Sequence, residues 1–407
     1  MKIVGLVTEY NPFHNGHLHH LKSSLEKTGA THSIAIMSGQ FLQRGVPALV
    51  DKWQRAQMAV EAGIDLVIEL PVMYATGSAE YFAEGAVAHL DALGCVDSLC
   101  FGSESGSIDG LQTIAQVLID EPPEFKHILK ENLQKGLPYP TARSLALVNY
   151  IQDETIEALA ASPNNILGIE YIKAILRLNS TITPHTVTRL QAGYHSTELQ
   201  GNICSATAIR NHLVTSNRPI EELEAFMPQT SYKAIYSANM SEQYSTLNDY
   251  YSYLRYRIHT MSLEELRAIK DVGEGLENLI KASIKKADNI IDFIDLVKSK
   301  RYTQTRIQRI LIHILLSIKA TDYPQQAQAH YIRILAMNNK GKEILSSIRK
   351  TCETPIITTL SKLNSSDSQL HKVLDQDILA TDIYMMNTRW NKAEYGLDYT
   401  TIPFIQK

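Results

Sequence analysis

The chain has 407 residues, of which 44% are hydrophobic and 20% charged, and its formal net charge at pH 7 is −4. This composition indicates a globular protein with room for two or three domains, and it excludes a low-complexity chain. No window approaches the roughly 20 apolar residues of a membrane helix, and the first apolar run ends at Val7, too short for a secretory segment. The four cysteines lack a zinc-binding spacing, so we expect free thiols in a reducing cytoplasm.

The first two hundred residues alternate between strand and helix patterns. Short apolar runs bounded by Gly or Pro predict strands over residues 2–7, 31–37, 65–70, 98–101 and 181–190. Helical spacing predicts helices over residues 18–27, 51–62 and 78–93. This order is typical of a Rossmann-like α/β fold, a parallel sheet with helices on both faces. Because such folds bind ligands at the carboxyl ends of their strands, we expect the turns after the first, second, fourth and fifth strands to share one crevice.

The rest of the chain is predicted to be mostly α-helical. Residues about 105–178 read as a helical insertion before the fifth strand, and residues 303–319 form a strongly amphipathic helix, with a last strand at 330–337. We therefore predict a catalytic domain over residues 1–220 and a mostly helical domain over 221–407. Residues 1–210 carry 14 Lys and Arg against 21 Asp and Glu, whereas residues 211–407 carry 25 against 22. The second half is mildly basic, which permits a polyanionic partner.

The turn after the first strand contains His14-Asn15-Gly16-His17. A strand, a Gly-containing turn and a helix N-terminus together favour an anion site, because free backbone N–H groups and the helix dipole face one point. Two imidazoles there can donate hydrogen bonds to a phosphate. We predict that His14 and His17 are catalytic, stabilising charge on the α-phosphate of a nucleoside triphosphate and on the leaving pyrophosphate.

A second polar cluster follows at residues 205–210. Ser205 is a candidate helix N-cap, and the Ser205 and Thr207 hydroxyls with the Arg210 guanidinium can form a second phosphate clamp. A third basic group follows the second strand: Arg44, Lys52 and Arg55 are candidates to face the crevice.

These motifs resemble those of a known group. HNGH with Ser205-Ala-Thr-Ala-Ile-Arg210 resembles the nucleotidyltransferase superfamily with the H-x-G-H signature. Longer strings, including Gly5 through His17, Met37-Ser-Gly-Gln-Phe-Leu-Gln-Arg-Gly45, Phe101-Gly-Ser-Glu104 and Ser162-Pro-Asn-Asn165, resemble the bacterial tRNA(Met) cytidine acetate ligase family. The similarity extends from residue 1 to about residue 385.

The resemblance implies a two-step reaction. Acetate and ATP form acetyl-adenylate and pyrophosphate, and the wobble cytidine of elongator tRNA(Met) then becomes N4-acetylcytidine. The resemblance also implies that the following residues contact ATP: Val7, Thr8, Glu9, Tyr10, Asn11, Pro12, Phe13, His14, Asn15, Gly16, His17, Leu18, His19, His20, Gly102, Asn165, Arg189 and Leu190. The candidates to orient the acetate of this reaction are Arg44, whose guanidinium can hold a carboxylate through two hydrogen bonds, or a histidine. Mg²⁺ is expected to accompany the triphosphate, because it neutralises the leaving pyrophosphate.

The basic second half interleaves Arg and Tyr, a composition that suits phosphate contacts and base stacking. The resemblance implies that this region binds tRNA through a surface that includes Arg301 and Arg306. Two alternatives stay open at this point. One is a nucleotidyltransferase that adenylylates a small phosphorylated metabolite, and the other is a nucleotide-binding RNA adaptor without catalysis. The sequence leaves the oligomeric state open.

Overall fold

A mixed eight-stranded sheet forms the centre of the molecule. The structure is a computed structural model, and it describes residues 1–189, 203–215, 218–299, 301–363, 365–387, 389–390 and 394–407. The strand order is β5-β4-β1-β2-β3-β6-β7, with β8 paired to β6. The strands are β1 (Ile3–Thr8), β2 (His32–Ser38), β3 (Leu66–Leu70), β4 (Ser98–Ser103), β5 (Thr183–Thr188), β6 (Ile332–Met337), β7 (Ile356–Ile357) and β8 (Phe404–Ile405).

Helices cover the sheet and build most of the second half. They are α1 (Asn15–Thr28), α2 (Lys52–Glu61), α3 (Val72–Ala75), α4 (Ala79–Ala92), α5 (Ile108–Asp120), α6 (Pro123–Gln134), α7 (Tyr139–Ile151), α8 (Thr155–Ala161), α9 (Pro163–Arg177), α10 (Ala206–Thr215), α11 (Gln229–Met240), α12 (Tyr251–Thr260), α13 (Leu263–Ala268), α14 (Leu276–Ser283), α15 (Ile290–Val297), α16 (Gln304–Leu316), α17 (Asn339–Thr351), α18 (Ser368–Met385) and α19 (Leu397–Thr400). Short 3₁₀ turns lie at Ile220–Phe226, Leu247–Tyr250, Ala320–Asp322 and Leu360–Lys362.

The five strands of the first half are parallel, as expected for strands joined by helical crossovers. Nearly every residue of β1 to β4 is buried, because both faces of the sheet are covered by helices. The predicted Rossmann-like α/β class is therefore confirmed. From β1 the chain proceeds through β2 to β3 on one side and then crosses to β4 on the other. This reversal makes the carboxyl ends of β1 and β4 the switch point at which such sheets bind ligands.

The sheet extends beyond the first half of the chain. β6 pairs antiparallel to β3, and β8 pairs parallel to β6. Five helices, α5 to α9, connect β4 to β5. Strands from both sides of residue 220 thus share one sheet, and the division into a catalytic and a tRNA-binding domain stays a prediction. Among the helices of the described residues, none is both long enough and apolar enough to cross a bilayer.

Candidate active site

His14 caps the helix that follows β1. Its backbone is extended (φ −140°, ψ 173°), and its Nδ1 accepts a hydrogen bond of 3.0 Å from the Gly16 N–H. The His17 Nδ1 in turn accepts from the His14 N–H at 3.3 Å, which completes a capping box built from two imidazoles. The histidine motif therefore forms the N-terminal cap of α1. One of the backbone N–H groups at this helix start, that of Gly16, is used by the cap.

The cap also fixes which ring nitrogen carries the proton. In both rings Nδ1 is an acceptor, so in the neutral imidazole the proton sits on Nε2. Within the described part of the chain, neither Nε2 has a hydrogen-bond partner. The rings of His14 and His17 stack with their centroids 3.8 Å apart, so the two Nε2–H donors belong to adjacent rings. Paired donors of this kind suit the oxygens of one phosphate group.

Burial keeps these imidazoles neutral. It lowers the pKa of His14 to about 3, with the positive charges of Arg189 and Arg210 acting in the same direction. Burial is also the main reason that the pKa of His17 lies well below its ordinary value, and the nearby His14, Arg189 and His20 lower it further. The histidines are thus neutral hydrogen-bond donors at pH 7, and the positive charge of the site comes from the two arginines.

Gly16 is required by the cap itself. A Cβ atom on Gly16 would lie 3.0 Å from Nδ1 of His14 and 2.8 Å from its Cε1, and the second distance is shorter than real Cβ contacts. The missing side chain of Gly16 therefore makes room for the His14 ring. On the other side, Tyr10 and Phe13 are buried, and their rings lie 5.0 and 5.5 Å from the ring of His17. The aromatic floor fixes the orientation of that imidazole.

Arg210 links the second polar cluster to the first turn. Its guanidinium donates to the Asn11 carbonyl at 2.7 Å and to the Thr207 hydroxyl at 3.1 Å. Burial lowers the pKa of Arg210 to about 10, which leaves it charged at pH 7. Ser205 accepts from the Ala208 N–H at 3.1 Å and therefore caps α10. The structure thus brings Arg210 and Thr207 beside the histidine turn, while the Ser205 hydroxyl is used by its own helix.

Arg189 reaches the same site from the end of β5. Its guanidinium donates to the Asn164 side-chain oxygen at 3.1 Å, and it lies close enough to His14 and His17 to lower both pKa values. A Cβ atom on Gly102 would lie 2.9 Å from Cγ of Arg189. Gly102 therefore allows the Arg189 side chain to cross β4 toward the histidines.

Asn165 has a supporting role in the wall of the crevice. Its side-chain oxygen accepts from the Glu104 N–H at 3.0 Å, and the Glu104 carboxylate accepts from the N–H groups of Asn164 and Asn165 at 3.2 and 2.9 Å. Sequence reasoning missed Asn164 and Glu104, although Glu104 directly follows β4 and Asn164 lies in the first turn of α9. Glu104 positions Asn164, and Asn164 in turn binds Arg189. The sequence feature that could have identified this pair is a carboxylate directly after a strand.

The turn after β2 is tied to the histidine loop through Glu9. The Glu9 side chain accepts from the Gln43 N–H at 2.8 Å, and the next residue, Arg44, is exposed. Arg44 lies near enough to Arg210 to contribute to lowering its pKa. The predicted candidate for orienting a small carboxylate therefore stands at the rim of the crevice.

The prediction that Lys52 and Arg55 face the crevice is wrong. Both side chains are fully buried. Arg55 donates to four backbone carbonyls, those of Glu9, Ser38, Gly39 and Val50, and so joins the turns after β1 and β2. Lys52 pairs with Glu69 and Asp398, both at 2.7 Å. Sequence reasoning failed here because α2 turns these cations inward, toward partners that are distant in the chain.

The remaining predicted residues fall into three groups. Asn11 is bound to the Leu49 N–H at 2.7 Å, and Asn15 donates to the Ala225 carbonyl at 2.9 Å. The other members of the first run that surround these residues, half-buried or buried in the loop and α1, are Val7, Thr8, Pro12, Leu18, His19 and His20. Leu190 lies outside the described residues. Contact of any of these residues with ATP stays a prediction.

The two predicted tRNA-binding arginines lie around the N-terminus of α16. Arg301 is exposed and forms an ion pair with Glu274, which is also exposed. Arg306 donates to the Asp271 carbonyl at 3.2 Å and stacks over the ring of Tyr302 at 5.0 Å. Exposed ion pairs contribute little to stability, so Arg301 can exchange its partner for a phosphate at small cost.

Comparison with known proteins agrees with this geometry. Residues 1–398 match the family model of the HIGH nucleotidyl transferases. The tRNA(Met) cytidine acetate ligase of Alkaliphilus metalliredigens is 46% identical, covering 100% of this chain and 99% of the relative. That of Clostridium perfringens is also 46% identical, with both chains covered completely. The chain belongs to the tRNA(Met) cytidine acetate ligase family.

Solved structures extend the comparison to three dimensions. The apo crystal structure of Thermotoga maritima TmcAL superposes with a TM-score of 0.93 at 36% identity, covering 100% of this chain and 99% of that one. A second crystal form of that protein, bound to alpha-thio ATP, superposes with a TM-score of 0.89 at the same identity. The family predicted from the longer motif strings and the nucleotidyltransferase fold predicted from the HNGH turn are thereby confirmed.

The neutral state of the two histidines can be tested directly by NMR of ¹⁵N-labelled imidazole. We expect His14 and His17 in the free protein to remain neutral Nε2–H tautomers from pH 8 to pH 5, because both folded-state pKa values lie far below 6.5. The unfolded chain takes up these protons first as the pH falls, so the free energy of unfolding should decrease between pH 6.5 and about 3. Titration of either ring with a midpoint near 6.5 would contradict the assigned burial.

Proposed function

We propose that this protein is an ATP-dependent acetate ligase that forms N4-acetylcytidine at the wobble position of elongator tRNA(Met). The reaction passes through acetyl-adenylate and releases pyrophosphate and then AMP. One observation carries the proposal. The stacked rings of His14 and His17, with the guanidinium groups of Arg189 and Arg210 near enough to act on His14, come together from three elements at the carboxyl edge of the sheet. Such a convergence suits a polyanion at the position where phosphate chemistry occurs.

In the first step a carboxylate oxygen of acetate attacks the α-phosphorus of ATP. A bond forms between that oxygen and phosphorus, and the bond from phosphorus to the pyrophosphate oxygen breaks. Acetate is already ionised at pH 7 and requires no general base. The Nε2–H groups of His14 and His17 donate to the oxygens on which charge increases, while Arg189 and Arg210 balance the charge of the departing pyrophosphate.

In the second step the exocyclic amine of cytidine attacks the acetyl carbonyl. The new C–N bond replaces the bond from the acyl carbon to the AMP oxygen, and the amine loses one proton to solvent as AMP departs. The chain's contribution to this step is to position the amine and to stabilise the leaving phosphate with the donors already in place. Arg44, exposed at the rim, is the proposed residue for orienting acetate, through two parallel hydrogen bonds.

Mg²⁺ is proposed to enter with the triphosphate as part of the substrate. Among the described residues no group of three His, Cys, Asp or Glu side chains could hold a metal ion. The near carboxylate, Glu9, is bound to the Gln43 N–H. Ligands from the phosphates and water therefore suit this ion better than a protein cage. Because ATP and tRNA are intracellular, we place the reaction in the cytosol.

One assay tests the proposal against its alternatives. The protein is incubated with labelled acetate, ATP and tRNA, and the RNA is then digested to nucleosides. Labelled N4-acetylcytidine is the expected product. Pyrophosphate release that needs no acetate would instead favour an enzyme that adenylylates a small phosphorylated metabolite. ATP binding without turnover would favour a non-catalytic RNA adaptor.

The tRNA surface yields a separate prediction. We expect Arg301→Ala combined with Arg306→Ala to weaken tRNA binding and to flatten its salt dependence, because each lost phosphate contact removes counterion release. The slope of log Kd against log salt should decrease by about one to two. Filter binding between about 50 and 250 mM salt measures this slope, and a slope equal to that of the unchanged protein would place the RNA surface elsewhere.

A further inference from the structure

A second group of cations lies on the same edge of the sheet as the histidine site. The turn after β2 contacts the backbone of α16 directly: a Cβ atom on Gly45, whose φ is +73°, would clash with the backbone nitrogen of Arg309. His313, one turn further along α16, is hydrogen-bonded to the Thr76 carbonyl at 3.1 Å, just after α3. Arg309 to His313 of α16 therefore contact the segments that follow β2 and β3, roughly 10 Å along the edge from the turn after β1.

Lys270 is held there by aromatic rings rather than by an acid. Its Nζ lies 4.2 Å from the ring centroid of Tyr81 and 4.5 Å from that of Tyr323. The two rings lie 4.7 Å apart at 65°, and the Tyr323 hydroxyl donates to the Met73 carbonyl at 2.6 Å, which anchors the pair. Ring faces stabilise an ammonium group without using its N–H donors. Lys270 therefore keeps those donors for another acceptor.

Arg309 is the second cation of this group. Its Nε is buried and has no hydrogen-bond partner in the described residues. Burial lowers its pKa, while the nearby carboxylate of Asp271 opposes that effect. Within the described chain no carboxylate oxygen lies within about 4 Å of either Lys270 Nζ or the Arg309 guanidinium, the range of a direct ion pair. A half-buried guanidinium with an unpaired N–H is costly unless a ligand completes it.

Charge and position together select the ligand. Arg306 on α16 is a further cation beside Arg309, and Asp271 supplies the carboxylate that acts on Arg309. Cations fixed without acid partners are ready to bind an anion, because they lose no ion pair on binding. The turn after β2, which contacts α16, is also tied to the ATP crevice, because the Gln43 N–H donates to the Glu9 carboxylate at 2.8 Å. An anion bound here would sit next to the reacting nucleotide.

We propose that Lys270 and Arg309, supported by Tyr81 and Tyr323, bind backbone phosphates of the tRNA anticodon loop and so deliver the cytidine to the ATP crevice. This inference rests on the proposed function and names the part of the tRNA surface nearest to the chemistry. Direct phosphate contacts on both sides of a base hold it clear of its stack, which a base needs in order to reach an enclosed reaction centre.

The test uses Arg309→Gln and Lys270→Gln in the full chain. Matched controls are Arg349→Gln and Lys350→Gln. Both residues are exposed in the last turn of α17, a helix that begins at the amino end of β3 and so at the opposite edge of the sheet. We measure the Kd for tRNA(Met) between about 50 and 250 mM salt, and separately the acetate-dependent exchange of pyrophosphate into ATP without tRNA.

We expect each site variant to weaken tRNA binding about five- to tenfold at about 100 mM salt and to reduce the salt slope by about one, with pyrophosphate exchange unchanged within about twofold. The controls should retain the original slope. Lys270→Arg keeps the cation between the rings and should restore most of the affinity, which a purely structural role of Lys270 would not predict.

Two results would overturn the inference. If the site variants keep the salt slope of the unchanged protein, the cations do not bind RNA phosphates. If pyrophosphate exchange falls while the tRNA slope stays constant, the site serves pyrophosphate or ATP instead. Failure of the proposed function is recognised separately, because the unchanged protein would then form no acetylcytidine at all.

Discussion

Replacement of His17 by Asn should reduce the rate of acetyl-adenylate formation by about 10²–10³-fold, the usual cost of removing one donor to developing negative charge. The Asn side-chain oxygen can occupy the place of the His17 Nδ1, which accepts from the His14 N–H at 3.3 Å. The variant therefore keeps the cap of α1 and loses only the Nε2–H donor. Acetate-dependent exchange of labelled pyrophosphate into ATP measures the rate of this step.

Two companion variants separate catalysis from folding. His17→Gln places an amide near the position of Nε2 and should recover part of the rate, whereas His17→Ala loses both the donor and the cap. The lost cap should lower the free energy of unfolding by about 1 kcal/mol. tRNA binding should be nearly unchanged in all three, because the second-half cations that we propose to bind tRNA phosphates are intact. A His17→Asn or His17→Ala enzyme with normal pyrophosphate exchange would remove the assignment of His17.

Replacement of Lys52 by Met should lower the free energy of unfolding by about 3–5 kcal/mol at pH 7, because it leaves buried carboxylates without their partner. The Lys52 Nζ lies 2.7 Å from oxygens of both Glu69 and Asp398, and the three side chains are at most 3% exposed. Arg333 is the other cation of this cluster, 2.6 Å from Asp398 and 3.5 Å from Glu69. One guanidinium cannot compensate two buried carboxylates equally well. Urea unfolding measures the change.

The effect should depend on pH in a defined direction. Burial would raise the pKa of Asp398, but the attraction of Lys52 and Arg333 holds it below its ordinary value of 3.8. Without Lys52 that pKa rises, so protonation relieves the unpaired charge and the loss of stability should be smaller at pH 4 than at pH 8. Lys350→Met, an exposed lysine on α17, is the matched control and should change stability by less than about 0.5 kcal/mol. Equal stability of the two variants would mean that the buried cluster contributes little.

Local patterns predicted the sheet of the first half well. The strand predicted over residues 31–37 is β2 (His32–Ser38), and the one over 65–70 is β3 (Leu66–Leu70). Such segments are recognisable because strands buried on both faces are short apolar runs that end at turn residues. The HNGH turn was equally legible, since a helix N-terminus directly after a strand is a local arrangement. What the pattern concealed was the hydrogen bonding within it, by which the two histidines cap α1 themselves.

Polar residues in helices were harder to interpret. Lys52 and Arg55 follow β2 as a ligand-binding cation would, yet both point into the protein. The helical pattern of α2 shows which of its residues share a face, but it does not show that the carboxylate of Asp398 lies against Lys52 in the folded protein. Asn164 and Glu104 were overlooked for the same reason: their importance comes from holding Arg189, which lies 25 residues beyond Asn164 in the chain.

By itself, the amino-acid sequence determined the parallel strands, the helix that begins at the histidine turn and membership of the ligase family, because each of these depends on residues adjacent in the chain. The tertiary structure decided which charges meet. The contact of Arg210 with Asn11 spans 199 residues, and that of Lys52 with Asp398 spans 346. Such pairs form only when the folded sheet brings its loops to one edge and excludes water, and the same burial makes the two histidines neutral donors rather than cations.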